Sequence, residues 1–316
     1  MRVLLVKTSS LGDVIHNLPV ASDIVSRYPG AVIDWVVEEN FADIPRLHPA
    51  VRKVIPVAVR RWRKQLFARG TWDGVQSLRR SIRQEVYDCV IDTQGLLKSA
   101  LIARQAHGPH YGYGMRSARE PMAVCFYDTR FEVAKQLHAV ERNRRLASHV
   151  LGYPVAGSPD YGLQRIPHQK PFADSGDFAV LLTATSRADK LWPEDHWIAL
   201  GRQLAEQGLN NVLPAGSKAE REAAERIARS IPGARVLPPS NLRQLATILA
   251  AARLAVGVDT GLIHLAAALG TPCIALFCAS DPELTGVYAG KQAVNLGDRG
   301  SPPELAVVLR TVRQLC

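Results

Sequence analysis

The chain has 316 residues, 47% of them apolar and 22% charged, a balance that suits two soluble α/β domains and excludes a disordered chain. No apolar stretch of membrane-spanning length escapes a charge, Gly or Pro, which argues against a transmembrane helix. The net charge of +10 is uneven: residues 1–165 carry 24 Lys/Arg against 15 Asp/Glu, and residues 166–316 carry 15 against 14, so the first half is expected to meet an anionic partner.

Residues 2–6 are an apolar run of strand length, too short for a secretory leader. A small-residue loop, Lys7-Thr8-Ser9-Ser10-Leu11-Gly12-Asp13, leads into an amphipathic stretch from about residue 13 to 27. This turn lacks the G-x-G-x-x-G fingerprint of dinucleotide binding, and Gly112-Tyr113-Gly114 lies far from a first strand. Asp13 reads in two ways. It is either a first-turn carboxylate stabilised by the helix dipole, or a general base at the carboxyl end of a parallel strand, where α/β folds bind ligands. A helix terminus makes such a base weak, which suffices when an attacking hydroxyl loses its proton late to a cationic sugar centre.

Residues 32–37 and 54–59 are further strand-like runs. The second leads into Arg60-Arg61-Trp62-Arg63-Lys64, four cations around one indole, with Arg79, Arg80 and Arg83 soon after. Such a run is a solvated face or an anion site; Arg forks match phosphates and carboxylates, and Trp suits a membrane interface. Residues 89–92 form a fourth strand ending at Thr93-Gln94-Gly95, again a candidate ligand-facing turn, and Arg116, Arg119 and Glu120-Pro121 lie in a Gly-rich, loop-like region. His138-Ala139-Val140-Glu141-Arg142 opens a helix carrying Arg144 and Arg145, ended by Gly152-Tyr153-Pro154. Residues 156–167 have the composition of a linker, dividing the chain into domains 1–165 and 166–316.

The α/β pattern then restarts. After the strand at 178–182, Thr185 and Ser186 offer hydroxyls and Lys190 a point charge for a diphosphate, and Trp192-Pro193-Glu194 starts a helix. After the strand at 212–215, Glu220 is either a ribose ligand or a first-turn acid. A short strand at 236–237, a helix at 242–252 and a strand at 254–258 come next. That last strand runs into Asp259-Thr260-Gly261-Leu262-Ile263-His264, a helix stopping at Gly270 and a strand at 273–278, which is a βαβ unit. The helix start at Thr260-Gly261 offers unpaired N–H groups to a phosphate, Gly261 allows close approach, and Thr260 and His264 share a face. The plainer alternative is an ordinary Asp or Thr N-cap. A final helix is expected at about 302–315. No D-x-D occurs, so no metal–diphosphate clamp is expected, and five cysteines without a C-x-x-C pair suit a reducing cytoplasm rather than zinc.

Over essentially its whole length the chain resembles the ADP-heptose:lipopolysaccharide heptosyltransferases. The marks are Val6-Lys7-Thr8-Ser9-Ser10-Leu11-Gly12-Asp13, Trp35-Val36-Val37-Glu38-Glu39, the run from Val54 to Lys64, Ala118-Arg119-Glu120-Pro121, His138-Ala139-Val140-Glu141-Arg142 and Asp259-Thr260-Gly261-Leu262-Ile263-His264. The Arg-Arg-Trp-Arg-Lys run points to the first heptosyltransferase of the family rather than the second. The resemblance implies the B-type glycosyltransferase architecture, two Rossmann-like α/β domains facing across a cleft, with the last helix a candidate to pack back on the first. It also implies an inverting, metal-independent transfer of L-glycero-D-manno-heptose from ADP-heptose to Kdo of Kdo-lipid A, with no cofactor.

By the same resemblance Asp13 is the base. Thr185, Ser186, Lys190, Glu220, Ser240, Asp259, Thr260, Gly261 and His264 bind the donor. Ser186 stands where a relative has Thr, Ser240 matches a chemically variable position, and Glu222 rivals Glu220. Arg60, Arg61, Arg63, Lys64 and Arg119 are expected to gather the anionic groups of the acceptor lipid. The expected protein is a monomer, cytoplasmic, peripheral on the inner membrane and without a nucleic-acid partner. The alternatives are the second heptosyltransferase and a non-catalytic anion- or nucleic-acid-binding protein. The latter lacks aromatics interleaved with its basic runs beyond Trp62, and a nicotinamide dehydrogenase lacks its glycine fingerprint.

Overall fold

The computed structural model describes all residues except 66–67, 164–165, 173–175 and 316. The chain divides into two compact units, Met1–Gly162 and Leu163–Cys316. Each holds one six-stranded sheet in which every neighbouring pair is parallel.

In the first unit the strands are β1 (Arg2–Val6), β2 (Val32–Glu38), β3 (Val51–Val57), β4 (Cys89–Asp92), β5 (His110–Tyr113) and β6 (Thr129–Phe131), in the order β3-β2-β1-β4-β5-β6. In the second they are β7 (Phe178–Leu182), β8 (Asn210–Leu213), β9 (Arg235–Val236), β10 (Leu254–Val258), β11 (Cys273–Phe277) and β12 (Ala293–Gly297), in the order β12-β11-β10-β7-β8-β9. Read from the opposite edge, this is the same doubly wound order. Central strands are buried on both faces, so they need uninterrupted Val, Ile and Leu runs, as in Leu4-Leu5-Val6 and Ile274-Ala275-Leu276. In such sheets the chain reverses direction between the first and fourth strands, and ligands bind at the carboxyl ends there. Those places are the ends of β1 and β4 in one unit and of β7 and β10 in the other.

Several local expectations change. The amphipathic stretch after Asp13 is two helices, Leu11–Ile15 and Leu18–Arg27, because Pro19 has no N–H to continue the first and suits the opening of the second. The run at 54–59 is shifted to Val51–Val57; its Pro56 is tolerated because β3 is an edge strand. Gly112-Tyr113-Gly114 is strand β5 and its end, a strand the sequence did not mark. A Cβ on Gly112 would lie 2.4 Å from the Tyr127 ring, so packing explains that glycine. The Trp62 ring packs against the first unit's core and beside Gly74, with its Nε1 buried and unpartnered. The last helix, Leu305–Leu315, sends Val308 and Val312 into the second unit's core. Among the described residues no helix is long and apolar enough to cross a membrane. Cys89, Cys125, Cys273 and Cys278 are free thiols; Cys316 lies outside the described residues.

Arg144 anchors the first unit. Its guanidinium is 1% exposed and donates to Asp23 at 2.8 and 3.1 Å, Glu141 at 3.1 Å and the carbonyls of Ala156 and Gly157. It thereby joins the helices Ala139–Leu151 and Leu18–Arg27 to the chain beyond. Arg144→Met leaves two carboxylates without their cation and is expected to destabilise the unit by about 3–5 kcal/mol. Denaturant unfolding checks this; an unchanged midpoint refutes it.

Candidate functional site

In the first unit, β1 delivers Lys7-Thr8-Ser9-Ser10 to the sheet's switch point. Ser10 caps the short helix Leu11–Ile15, and Asp13 Oδ2 accepts from the Ser10 N–H at 2.9 Å and hydroxyl at 3.1 Å. Asp13 Oδ1 accepts from Arg119 Nη2 at 3.0 Å. The carboxylate is thus a capping acid and also the partner of a cation 106 residues away. Burial raises the Asp13 pKa, but the charges of Lys7 and Arg119 and the Ser10 hydrogen bonds outweigh it and hold the carboxyl below its ordinary value.

Residues that sequence reasoning missed hold this turn in place. Gln94, after β4, accepts the N–H groups of Thr8 and Ser9 on its Oε1 at 3.0 and 3.1 Å. The Gln94 N–H is fixed on Asp92 Oδ1 at 2.8 Å, and Asp92 Oδ2 accepts from Ser99 and Tyr127, both at 2.8 Å. Burial pushes the Asp92 carboxyl up. Gly95 completes the turn with φ +67°, a conformation that suits Gly. Lys7 is buried, donating to Thr93 O at 2.7 Å and Asn143 Oδ1 at 3.2 Å, and burial lowers its ammonium to about 8. The only sequence signal for these groups was the ligand-facing position of Thr93-Gln94-Gly95 and a polar Lys7 at a strand end.

Arg60, Arg61, Arg63 and Lys64 are exposed around the helix Val59–Trp62. Arg61 pairs with Glu39 at 3.0 Å, and Arg60 lies over the Phe41 ring. No hydrogen bond or ion pair among the described residues joins this run to Asp13.

In the second unit, Asp259 follows β10 and Thr260 is the N-cap of the helix Gly261–Ala268. Asp259 is a hub. Lys190 Nζ donates to its Oδ2 at 2.5 Å, the Ser280 hydroxyl donates to the same oxygen at 2.5 Å, and His264 Nε2 lies 3.3 Å from Oδ1. Thr185 Oγ1 donates to the Asp259 carbonyl at 3.2 Å. Burial raises the Asp259 pKa; the hydrogen bond and charge of His264, with Lys190 and Ser280, outweigh it and hold the carboxyl well below the usual range. Three loops therefore meet here, after β7, β10 and β11. Ser280 was missed because nothing in Ser280-Asp281-Pro282 marks it beyond a turn.

The other residues expected to bind the donor lie further along the same carboxyl edge. Glu220, after β8, accepts the Gly216 and Ser217 N–H groups on Oε2 at 2.8 and 3.0 Å, a capping box. Its rival Glu222 is exposed and lies 3.9 Å from Lys218. Ser240, after β9, donates to Pro238 O at 2.8 Å, and Ser186 is exposed beside Thr185. Among the described residues no group of three His, Cys, Asp or Glu side chains stands ready for a metal ion.

Residues 75–309 match the family described as glycosyltransferase family 9 (heptosyltransferase). Lipopolysaccharide heptosyltransferase 1 of Escherichia coli K12 is 47% identical over 296 residues, 93% of each chain. The solved E. coli heptosyltransferase WaaC with ADP superposes with a TM-score of 0.92 at 43% identity over the whole of both chains. The same enzyme with ADP-2-deoxy-2-fluoro heptose gives 0.88 at 41% identity, again over both whole chains.

Proposed function

The chain belongs to glycosyltransferase family 9, the heptosyltransferases, and we propose that it transfers L-glycero-D-manno-heptose from ADP-heptose to Kdo of Kdo-lipid A in assembly of the lipopolysaccharide inner core. The observation that carries the reading is the Asp259 hub at a helix N-terminus, with Lys190 held beside unpaired N–H groups. A diphosphate suits that combination of cation and dipole. Along the carboxyl edge the sheet order β10-β7-β8-β9 gives the sequence Asp259, Lys190, Glu220, Ser240. An ADP laid along it meets a phosphate cradle, then an acid, then a polar adenine-side position. The Glu220 cap uses Oε2 and leaves Oε1 for a ribose hydroxyl. Relatives solved with ADP and with an ADP-heptose analogue support this donor.

In the proposed reaction the acceptor hydroxyl attacks the anomeric carbon on the face opposite ADP. The new C–O bond forms as the sugar–phosphate bond breaks, inverting the centre; the electron pair leaves with ADP and the hydroxyl proton passes to Asp13. Negative charge grows on the departing phosphate, where Lys190 and the N–H groups of Thr260 and Gly261 would stabilise it, with His264 keeping Asp259 aligned. No metal and no cofactor are required in this scheme. Arg60, Arg61, Arg63, Lys64 and Arg119 would gather the acceptor's phosphates and carboxylates. The protein would act as a monomer on the cytoplasmic face of the inner membrane, which its basic first half favours.

The test is a mass spectrum of Kdo-lipid A incubated with protein and ADP-heptose without added metal. One added heptose is expected. Transfer only to an acceptor already bearing a heptose would identify the second heptosyltransferase instead, and no transfer to either would refute the reading. Exposed charges are screened beyond about 8 Å at physiological salt. The acceptor KM is therefore expected to rise severalfold with added salt; a flat response would make the Arg run a solvated face only.

A further inference from the structure

The helix Arg69–Arg83 turns one face to the first unit's core and leaves another without a partner. Thr71, Leu78 and Ile82 are buried, and the last two join the core cluster that includes Val36, Ile55 and Val57. At about 100° per residue, Arg69, Trp72, Gln76, Arg79, Arg80 and Arg83 fall together on a different side, within an arc of about 100°. All six are exposed, and the Trp72 indole is 61% exposed. Gln76, Arg79, Arg80, Arg83 and Gln84 line an open hollow there.

These cations are not spent inside the protein. Among the described residues Arg69, Arg79 and Arg80 have no hydrogen-bond or acid partner, and Arg83 uses only Nε, on Gln105 O at 3.2 Å. Asp73 is the one acid in the helix. Glu85, just beyond its end, is taken by Arg2 and Arg52. The helix dipole accounts for Arg80 and Arg83 in the last turn but disfavours Arg69 in the first. Nor does it give a reason for a bare indole at Trp72.

The stripe is also long. From Arg69 to Arg83 it runs about 21 Å along the helix axis. Its first turn follows β3 and the helix Val59–Trp62. Its last turn lies at the opposite, amino edge of the sheet, where Lys53 near the start of β3 donates to Ser81 O at 3.4 Å and Gln84 Oε1 at 3.0 Å. Asp13 stands at the carboxyl edge, so Arg79, Arg80 and Arg83 point to something larger than the reacting sugar. Only an extended anionic surface meets the whole stripe. A bilayer is such a surface: its headgroups carry negative charge, and its interface takes indole rings. A single-stranded nucleic acid calls for several stacking aromatics, and the stripe has one.

We propose that this face of the helix Arg69–Arg83 is the docking surface for an anionic phospholipid bilayer, with Arg79, Arg80 and Arg83 on headgroup phosphates and Trp72 in the interface. The inference rests on the reading of a lipid-borne acceptor and names the surface that brings the protein to it.

The test is cosedimentation with vesicles, without ADP-heptose or acceptor. Wild-type protein is expected to bind vesicles containing phosphatidylglycerol, to leave vesicles of phosphatidylcholine alone, and to be released by salt. Arg79→Gln with Arg80→Gln and Arg83→Gln weakens binding about 10- to 100-fold; circular dichroism and the unfolding midpoint verify that this triple variant is folded. Acrylamide quenching of tryptophan falls when wild type binds the vesicles, and Trp72→Phe removes that change. The triple variant turns over detergent-dispersed Kdo-lipid A at the wild-type rate, and acceptor embedded in anionic vesicles more slowly. Equal vesicle binding by variant and wild type, no binding by wild type, or quenching that binding leaves unchanged overturns the proposal. An equal loss on the detergent-dispersed acceptor also overturns it and assigns these arginines to the acceptor. Tighter binding of a single-stranded RNA oligonucleotide than of vesicles, lost in the same variant, would make this a nucleic-acid face instead. Vesicle binding as expected with no transfer to any acceptor refutes the activity and leaves the docking surface standing.

Discussion

Asn in place of Asp13 lowers turnover by about 10²–10⁴-fold, the usual worth of a positioned base, while ADP affinity stays at the wild-type value. Asparagine keeps the shape of the side chain and, with its one oxygen turned to the Ser10 donors, the cap of the turn, while the contact with Arg119 is lost. It also loses the ability to take a proton. The residues proposed for ADP lie in the other unit, after β7 to β10, so calorimetric titration of ADP separates loss of chemistry from loss of donor binding. The pH profile follows from the same contacts. Lys7 and Arg119 overcome the burial that would raise the carboxyl, so Asp13 is ionised through the neutral range. Acid protonates it, and its contribution is lost only below the ordinary carboxylate range. An acid limb near neutrality, or near-wild-type turnover in the variant, removes Asp13 from this role.

Lys190→Ala is expected to weaken ADP binding about 10- to 100-fold, in line with about 1.5–3 kcal/mol for a hydrogen bond to a charged group. Two losses coincide. The diphosphate loses its cation, and Asp259 is left with a less compensated negative charge where an anion is to bind. Asp259→Asn removes that charge and frees Lys190, so its penalty on ADP is smaller. The double variant should bind ADP better than the sum of the single penalties predicts, because the uncompensated carboxylate is gone. Additive penalties, or unchanged ADP affinity in Lys190→Ala, would separate Lys190 from the diphosphate.

How far the fold was legible follows from what each element buries. Strands β1, β4, β7, β10 and β11 stood out because a strand covered on both faces has to be apolar throughout. Strands β6 and β12, at sheet edges and partly exposed, carry no such run and were not anticipated. The break at Pro19 was written in the sequence but hidden by an amphipathic pattern continuing across it. The packing of Trp62 against the core was not legible because a basic run shows composition, not which side the backbone turns inward.

By itself, then, the sequence determined the α/β class, the restart of the pattern in the second half and, through its motifs, membership of the heptosyltransferase family. These depend on local runs and short spacings, which survive in one dimension. Only the tertiary structure decided what the candidate residues touch. Asp13 meets Arg119 across 106 residues, Lys7 meets Asn143 across 136, and Lys190 meets Asp259 across 69. Parallel sheets bring distant loops to one edge through long crossovers, so the partners that set charge and direction at each carboxylate come from loops that no sequence window contains.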